Sequence, residues 1–107
     1  MLYILALNYV RPLEEVKAHL DPHRQWLAKH IGAGRILAAG PNEDKSGGLV
    51  LASCGSRSEL DDMIADDPFV AHRLVAVSVQ GFEPALRAEA LAQRWASAAA
   101  VVAVRAA

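Results

Sequence analysis

An α+β fold is what this sequence predicts, on three observations: short apolar runs without a helical period, two longer stretches whose apolar residues recur every three or four positions, and the order in which they alternate. Residues 2–8 form the first run, too short for a typical helix and bounded by Arg11-Pro12, and read as a buried strand. From Leu13 the period changes. Leu13, Val16 and Leu20 share one helical face, with Glu14, Glu15 and Lys17 opposite, and the stripe resumes as His23, Trp26, Leu27, His30 and Ile31. Asp21-Pro22 implies a kink or two helical pieces, because an interior proline removes a backbone donor and crowds the preceding turn. In that reading Asp21 caps the second piece, Pro22 takes its first position and His23 follows near the positive end of the helix dipole. Gly32-Ala33-Gly34 then ends the helix.

Residues 35–39 have strand length and are closed by Gly40-Pro41. A polar loop, 42–46, and Gly47-Gly48 lead into the apolar run 49–52, so the two runs form a hairpin. Ser56 and Ser58 suit a helix N-cap ahead of Leu60, Met63 and Ile64, and Asp67-Pro68 stops that helix at Ala65 or Asp66. After a short segment, 69–73, the valine-rich stretch 74–79 reads as a fourth strand running to about Phe82. The order β-α-β-β-α-β is the split βαβ arrangement of the ferredoxin-like class, four antiparallel strands with two helices on one face. The other sheet face also carries apolar residues, so a homodimer that buries it across a twofold axis is expected. Beyond Glu83-Pro84, Leu86, Ala90, Leu91, Arg94 and Trp95 predict one further helix. The chain then divides into a domain of residues 1–84 and a helical extension of residues 85–107.

A chain of 107 residues with 53% apolar content suits one domain around one core. Its formal net charge is -1 with both signs interspersed, so there is no electrostatic footprint for nucleic acid or an anionic membrane. Cys54, the single cysteine, excludes an internal disulfide framework and suits a reducing compartment, with the cytoplasm as the expected location. Residues 1–10 lack the basic start and cleavage site of a secretory signal, and residues 98–104 fall far short of the ~20 apolar residues of a membrane-spanning helix.

Chemistry centres on His23 and the motif Asp66-Asp67-Pro68-Phe69. A helix N-terminus biases imidazole toward its neutral, basic form, and a carboxylate can orient the ring. Taken singly, a histidine on an apolar helical stripe is a core residue and Asp-Pro is a helix stop. Gly40-Pro41 and Ser46-Gly47 either answer turn geometry or bring backbone N–H groups and the Ser46 hydroxyl to a substrate oxygen. Tyr9 and Arg11 are either solvated or stand at a pocket mouth ready for an anion. Phe69 and Trp26 read as aromatic packing or pocket wall. His19, His30 and His72 have no acidic cluster at ligand spacing, so neither a metal nor another cofactor is expected, and Cys54 reads as an inert buried thiol.

In order along the chain, Pro12-Leu13-Glu14-Glu15-Val16, His23 with Trp26-Leu27, Gly34, Gly40-Pro41, Gly47-Gly48, Ser58-Glu59-Leu60, Asp67-Pro68-Phe69 and Phe82-Glu83-Pro84 resemble the YciI-like family, the YCII-related domain, over roughly residues 1–84. Each piece is common, and their order carries the specificity. The resemblance implies a ferredoxin-like dimeric α/β barrel and a small-molecule enzyme with a histidine and an aspartate as its catalytic pair. These fall on His23 and Asp67, with Asp66 alongside as a second carboxylate. The expected function is cofactor-independent proton transfer on a small organic molecule, anionic or cyclic, as in a lyase, isomerase, hydrolase or dehydrohalogenase-type elimination. Tyr9, Arg11, Gly40, Pro41, Ser46, Gly47 and Phe69 would surround the substrate. The contrasting expectation is a non-catalytic dimeric module for ligand binding or assembly, since fold alone does not decide between them.

Overall fold

In the computed structural model, which describes residues 1–105, the expected order of elements is present. It runs β1 (Leu2–Tyr9), α1 (Leu13–Ala18), α2 (Leu20–Gly32), β2 (Ile36–Pro41), β3 (Gly47–Ser53), α3 (Arg57–Ala65), α4 (Pro68–Ala71) and β4 (Val75–Phe82). The four strands form one antiparallel sheet in the order β2-β3-β1-β4, the ferredoxin-like arrangement. Central β1 pairs with β3 from Leu2↔Ser53 to Asn8↔Gly47 and with β4 from Leu2↔Phe82 to Tyr9↔Val75.

Side chains alternate across the sheet, so one face of β1 presents Tyr3, Leu5 and Leu7 to the helices. There they meet Val50 and Ala52 of β3, Trp26 of α2 and Leu60 and Met63 of α3 in the main core. The Trp26 indole N–H donates to the Met63 carbonyl at 3.0 Å, which fastens α2 to α3. A smaller cluster of Val16, Phe69 and Leu74 lies under α1 and α4. On the opposite face Ile4, Leu49 and Phe82 remain 41%, 46% and 45% exposed.

Turns and caps follow local chemistry. Ser56 caps α3 by accepting from the Glu59 N–H, and α3 ends at Ala65. Gly47 is buried where β3 starts, and a Cβ there would run into the Leu7 carbonyl oxygen of the neighbouring strand. That approach admits only glycine.

Two expectations are corrected. The helical stretch divides at His19, where the backbone turns to φ -114° and ψ 12°, and continuity does not fail at Asp21-Pro22. Pro22 falls in the first turn of α2, where its missing N–H is one that has no intrahelical partner in any case. Asp21 therefore sits inside the helix, and His19 occupies the N-cap with no side-chain bond. The second correction concerns residues 85–105. They form no α-helix but a short parallel pair, β5 (Leu86–Ala88) and β6 (Ala100–Val102), joined through a 3-10 turn at Gln93–Trp95. Alanine propensity favoured a helix, but the stretch has no continuous apolar stripe to bury, and β-branched Val101 and Val102 suit extended backbone. The expected extension runs to residue 107, and its last two positions lie outside the described residues. Trp95 reaches back to the turn after α2, its ring 3.7 Å from where a Cβ on Gly34 would stand. Among the described residues no helix is long and apolar enough to cross a membrane.

Candidate functional site

α2 supplies the imidazole and the start of α4 supplies the acid. The His23 N–H closes the first turn of α2 on the His19 carbonyl at 3.1 Å, and the ring stands beside α4. Asp67 has extended backbone, φ -69° and ψ 124°, the conformation a following proline favours, and Pro68 occupies the first helical position. One carboxylate oxygen of Asp67, Oδ1, then serves two donors. It accepts the Phe69 N–H at 3.0 Å, capping α4, and the His23 Nδ1–H at 2.7 Å. Asp67 is completely buried, so these donors are what make its burial tolerable.

With Nδ1 committed as a donor, Nε2 is the ring's free nitrogen. It has no protein partner among the described residues, yet it is not sealed from solvent, in contrast to His30 Nε2. Phe69 stacks on the ring at 3.9 Å with planes 4° apart, and the Trp26 ring stands 5.6 Å away with planes 27° apart.

Beside this pair opens a cavity of about 330 Å³ between α2, the β2–β3 hairpin and α4. Leu7, Leu20, Leu27 and Val50 give it apolar walls. His23, Tyr9 and Arg24 are its polar groups, and no carboxylate is among the lining residues.

Of the residues singled out in the sequence, the structure gathers His23, Asp67, Tyr9, Gly40, Pro41 and Phe69 at this place, Asp67 standing behind the imidazole. Tyr9 packs edge-on against Phe69 at 6.2 Å. Arg11, Ser46 and Gly47 are outside the cavity lining. Arg11 is turned onto Glu15, with Nε and Nη2 each 2.8 Å from a carboxylate oxygen, and the two charges reinforce each other, the arginine pKa raised and that of the glutamate lowered. Ser46 is consumed by its own loop: its hydroxyl donates to Asp44 at 2.6 Å and accepts from Asn42 at 3.1 Å. Gly47 answers the crowding against β1 described above.

Arg24 was not singled out in the sequence. The signal was adjacency: the residue after His23 is rotated about 100° around the helix, toward the rim of whatever the histidine faces. The two neighbouring acids also separate. Asp66 is half-exposed and bonds Lys29 Nζ at 3.2 Å, which holds its pKa below the usual carboxylate range, while His30 Nε2 stands 3.6 Å away. His30 is buried, its Nδ1 accepts from Arg35 Nε at 3.0 Å, and burial, reinforced by the Arg35 charge, lowers its pKa. Cys54 is partly buried and burial raises its thiol pKa. Among the described residues no group of three or more histidine, cysteine or acidic side chains is placed to hold a metal ion.

Residues 1–82 match the YCII-related domain. No curated protein matches the chain. Among solved structures, the chain is similar to the 5-chloro-2-hydroxyhydroquinone dehydrochlorinase TftG of Burkholderia phenoliruptrix AC1100, in complex with 2,5-dihydroxybenzoquinone, at 22% identity and TM-score 0.66 over 78% of this chain and 95% of that one. It is also similar to an antibiotic biosynthesis monooxygenase, at 17% identity and TM-score 0.53 over 78% of this chain and 100% of the other. Both likenesses are of fold.

Proposed function

This chain belongs to the YCII-related domain family, and from that premise and the site's geometry we propose a cofactor-independent enzyme that moves a proton on a small organic molecule. The observation that carries the proposal is the 2.7 Å bond between His23 and Asp67 beside an apolar cavity of about 330 Å³. In the proposed reaction His23 Nε2 removes a proton from a carbon or oxygen acid seated in the cavity. Asp67 keeps the ring in the tautomer that leaves Nε2 basic and offsets the imidazolium charge that forms. The Tyr9 hydroxyl, at the cavity wall, serves the developing oxyanion in place of the Ser46 hydroxyl, which its loop consumes. Elimination, isomerisation and other lyase chemistry all begin with this step. The dehydrochlorinase TftG, whose structure holds a dihydroxybenzoquinone, is a fold neighbour whose named reaction is an elimination.

The proposal includes a homodimer through the open sheet face of Ile4, Leu49 and Phe82, and the cytoplasm as the compartment that suits the lone thiol of Cys54.

The test is to follow deuterium incorporation and chloride release by NMR and ion electrode for a panel of cyclic ketones and chlorinated hydroquinones. His23→Ala lowers turnover by the roughly 10²–10⁴-fold that a positioned acid or base contributes, with a cooperative unfolding transition and the light-scattering mass of a dimer retained. Unchanged turnover in that variant refutes the role of His23. Ligand binding to wild type with no turnover of any panel member favours the non-catalytic binding module instead, and a monomer at micromolar concentration refutes the dimer.

A further inference from the structure

The cavity carries one charge that nothing among the described residues answers. Arg24 is exposed and lines it, and among the described residues its guanidinium takes part in no ion pair or hydrogen bond; Arg73 and Arg105 are likewise unengaged but lie away from the cavity, whereas Arg11, Arg35, Arg57 and Arg87 are each engaged. No acidic residue lines the space, and Asp67, behind the imidazole, is occupied by His23 and the α4 cap. A guanidinium left open over apolar walls is a specificity device: it gains most from a ligand that brings an oxyanion to the rim while its carbon body fills the hollow.

We propose that Arg24 determines specificity, selecting small organic anions with an apolar body, of the size and kind of an aromatic carboxylate or phenolate, at the site where His23 acts. This rests on the proposed function for the identity of the site and adds the charge of its substrate. The arrangement divides labour along two turns of α2. Leu20 and Leu27 contact the body, His23 offers Nε2 at the wall, and Arg24 at the next position holds the anionic end, with Tyr9 as a neutral donor across the opening. An anion held there also stands where a proton-abstracting His23 becomes cationic, so the bound charge favours the proton transfer as well as the binding. The size agrees: a volume of about 330 Å³ lies at the lower end for ligand sites and takes one ring with short substituents.

The test uses the intact wild-type protein and three variants, Arg24→Gln, Arg24→Lys and His23→Ala, with matched pairs of probes: benzoate and benzamide, cinnamate and cinnamamide, salicylate and salicylamide. Binding is read by titration calorimetry and by shifts of the His23 ring resonances. Wild type is expected to bind at least one acid about tenfold more tightly than its amide, the discrimination one charge-assisted contact at a solvated rim supplies, with affinity falling as salt rises. Arg24→Gln, with an unchanged melting temperature, brings acid and amide within twofold of each other, and Arg24→Lys retains part of the preference. In His23→Ala the preference persists, because Arg24 and not the imidazole reads the charge. Equal binding of acids and amides to wild type, undiminished preference in Arg24→Gln, or no binding of any acid at millimolar concentration each overturns the proposal. Loss of turnover in His23→Ala is read separately, so failure of the anion preference leaves the proton-transfer assignment standing, and the reverse also holds.

Discussion

Replacing Asp67 with alanine strips two donors of one acceptor. The Phe69 N–H loses its cap, which costs about 1 kcal/mol, and the His23 Nδ1–H loses a buried charge-assisted partner, which costs about 1–3 kcal/mol more. Relief of the buried carboxylate, whose Oδ2 has no partner, works the other way, so the net loss is roughly 2–3 kcal/mol. In a domain of this length that lowers the melting temperature by roughly 10 °C. The informative measurement is a double-mutant cycle by urea denaturation with His23→Ala. His23→Ala alone strands the acid, Asp67→Ala alone strands the imidazole, and the double variant strands neither, so the double costs less than the sum by about 1–2 kcal/mol. Additivity within about 0.5 kcal/mol refutes the bond and, with it, the argument that Asp67 sets the tautomer of His23.

Two further outcomes follow from local geometry. Gly47→Ala drives a Cβ into the rigid Leu7 carbonyl and abolishes folding or lowers stability by more than about 2 kcal/mol, whereas Gly40→Ala, with nothing within 4 Å of its Cβ, shifts the urea midpoint little; comparable effects would contradict the strand approach described here. His30 has its pKa lowered from the ordinary 6.5, principally by burial and then by Arg35, so the unfolded chain binds its proton more readily. Its contribution is intact above pH 6.5 and is lost as pH falls through the depressed folded value, with a slope of at most about 1.4 kcal/mol per pH unit. Thermal melts from pH 8 to 5 therefore decline less steeply for His30→Gln than for wild type, and parallel profiles would refute the assignment.

Much of this molecule was legible from the chain. Hydrophobic period alone separated residues 2–8 from the stripe through Val16, Trp26 and His30, and the resulting order specified the sheet, because right-handed crossovers and hairpins leave few ways to arrange it. Asp67-Pro68 was legible twice over, as a helix stop and as the acid for His23, and it is both. The misses share a cause: each depends on what a side chain finds in space. Arg11 looked free, but Glu15 one turn on neutralises it, and the comparable charge at the cavity belongs to Arg24. Ser46 looked available, but an acid two residues earlier closes on it. Proline at position 22 looked like a break because interior and first-turn prolines read alike until the cap at His19 is known. The stretch 85–105 follows alanine propensity only when nothing else competes, and Trp95 packing near Gly34 competes.

The double use of Asp67 ties the geometry of the His23–Asp67 bond to chain length as well as to side-chain choice. Because the acid is fixed by main-chain angles between two helices, its address is counted in residues from Ala65 to Pro68. Drift in the composition of nearby loops leaves the pair in register, but a single deletion at Asp66-Asp67 would ask one carboxylate to stand both in solvent opposite Lys29 and beneath the imidazole.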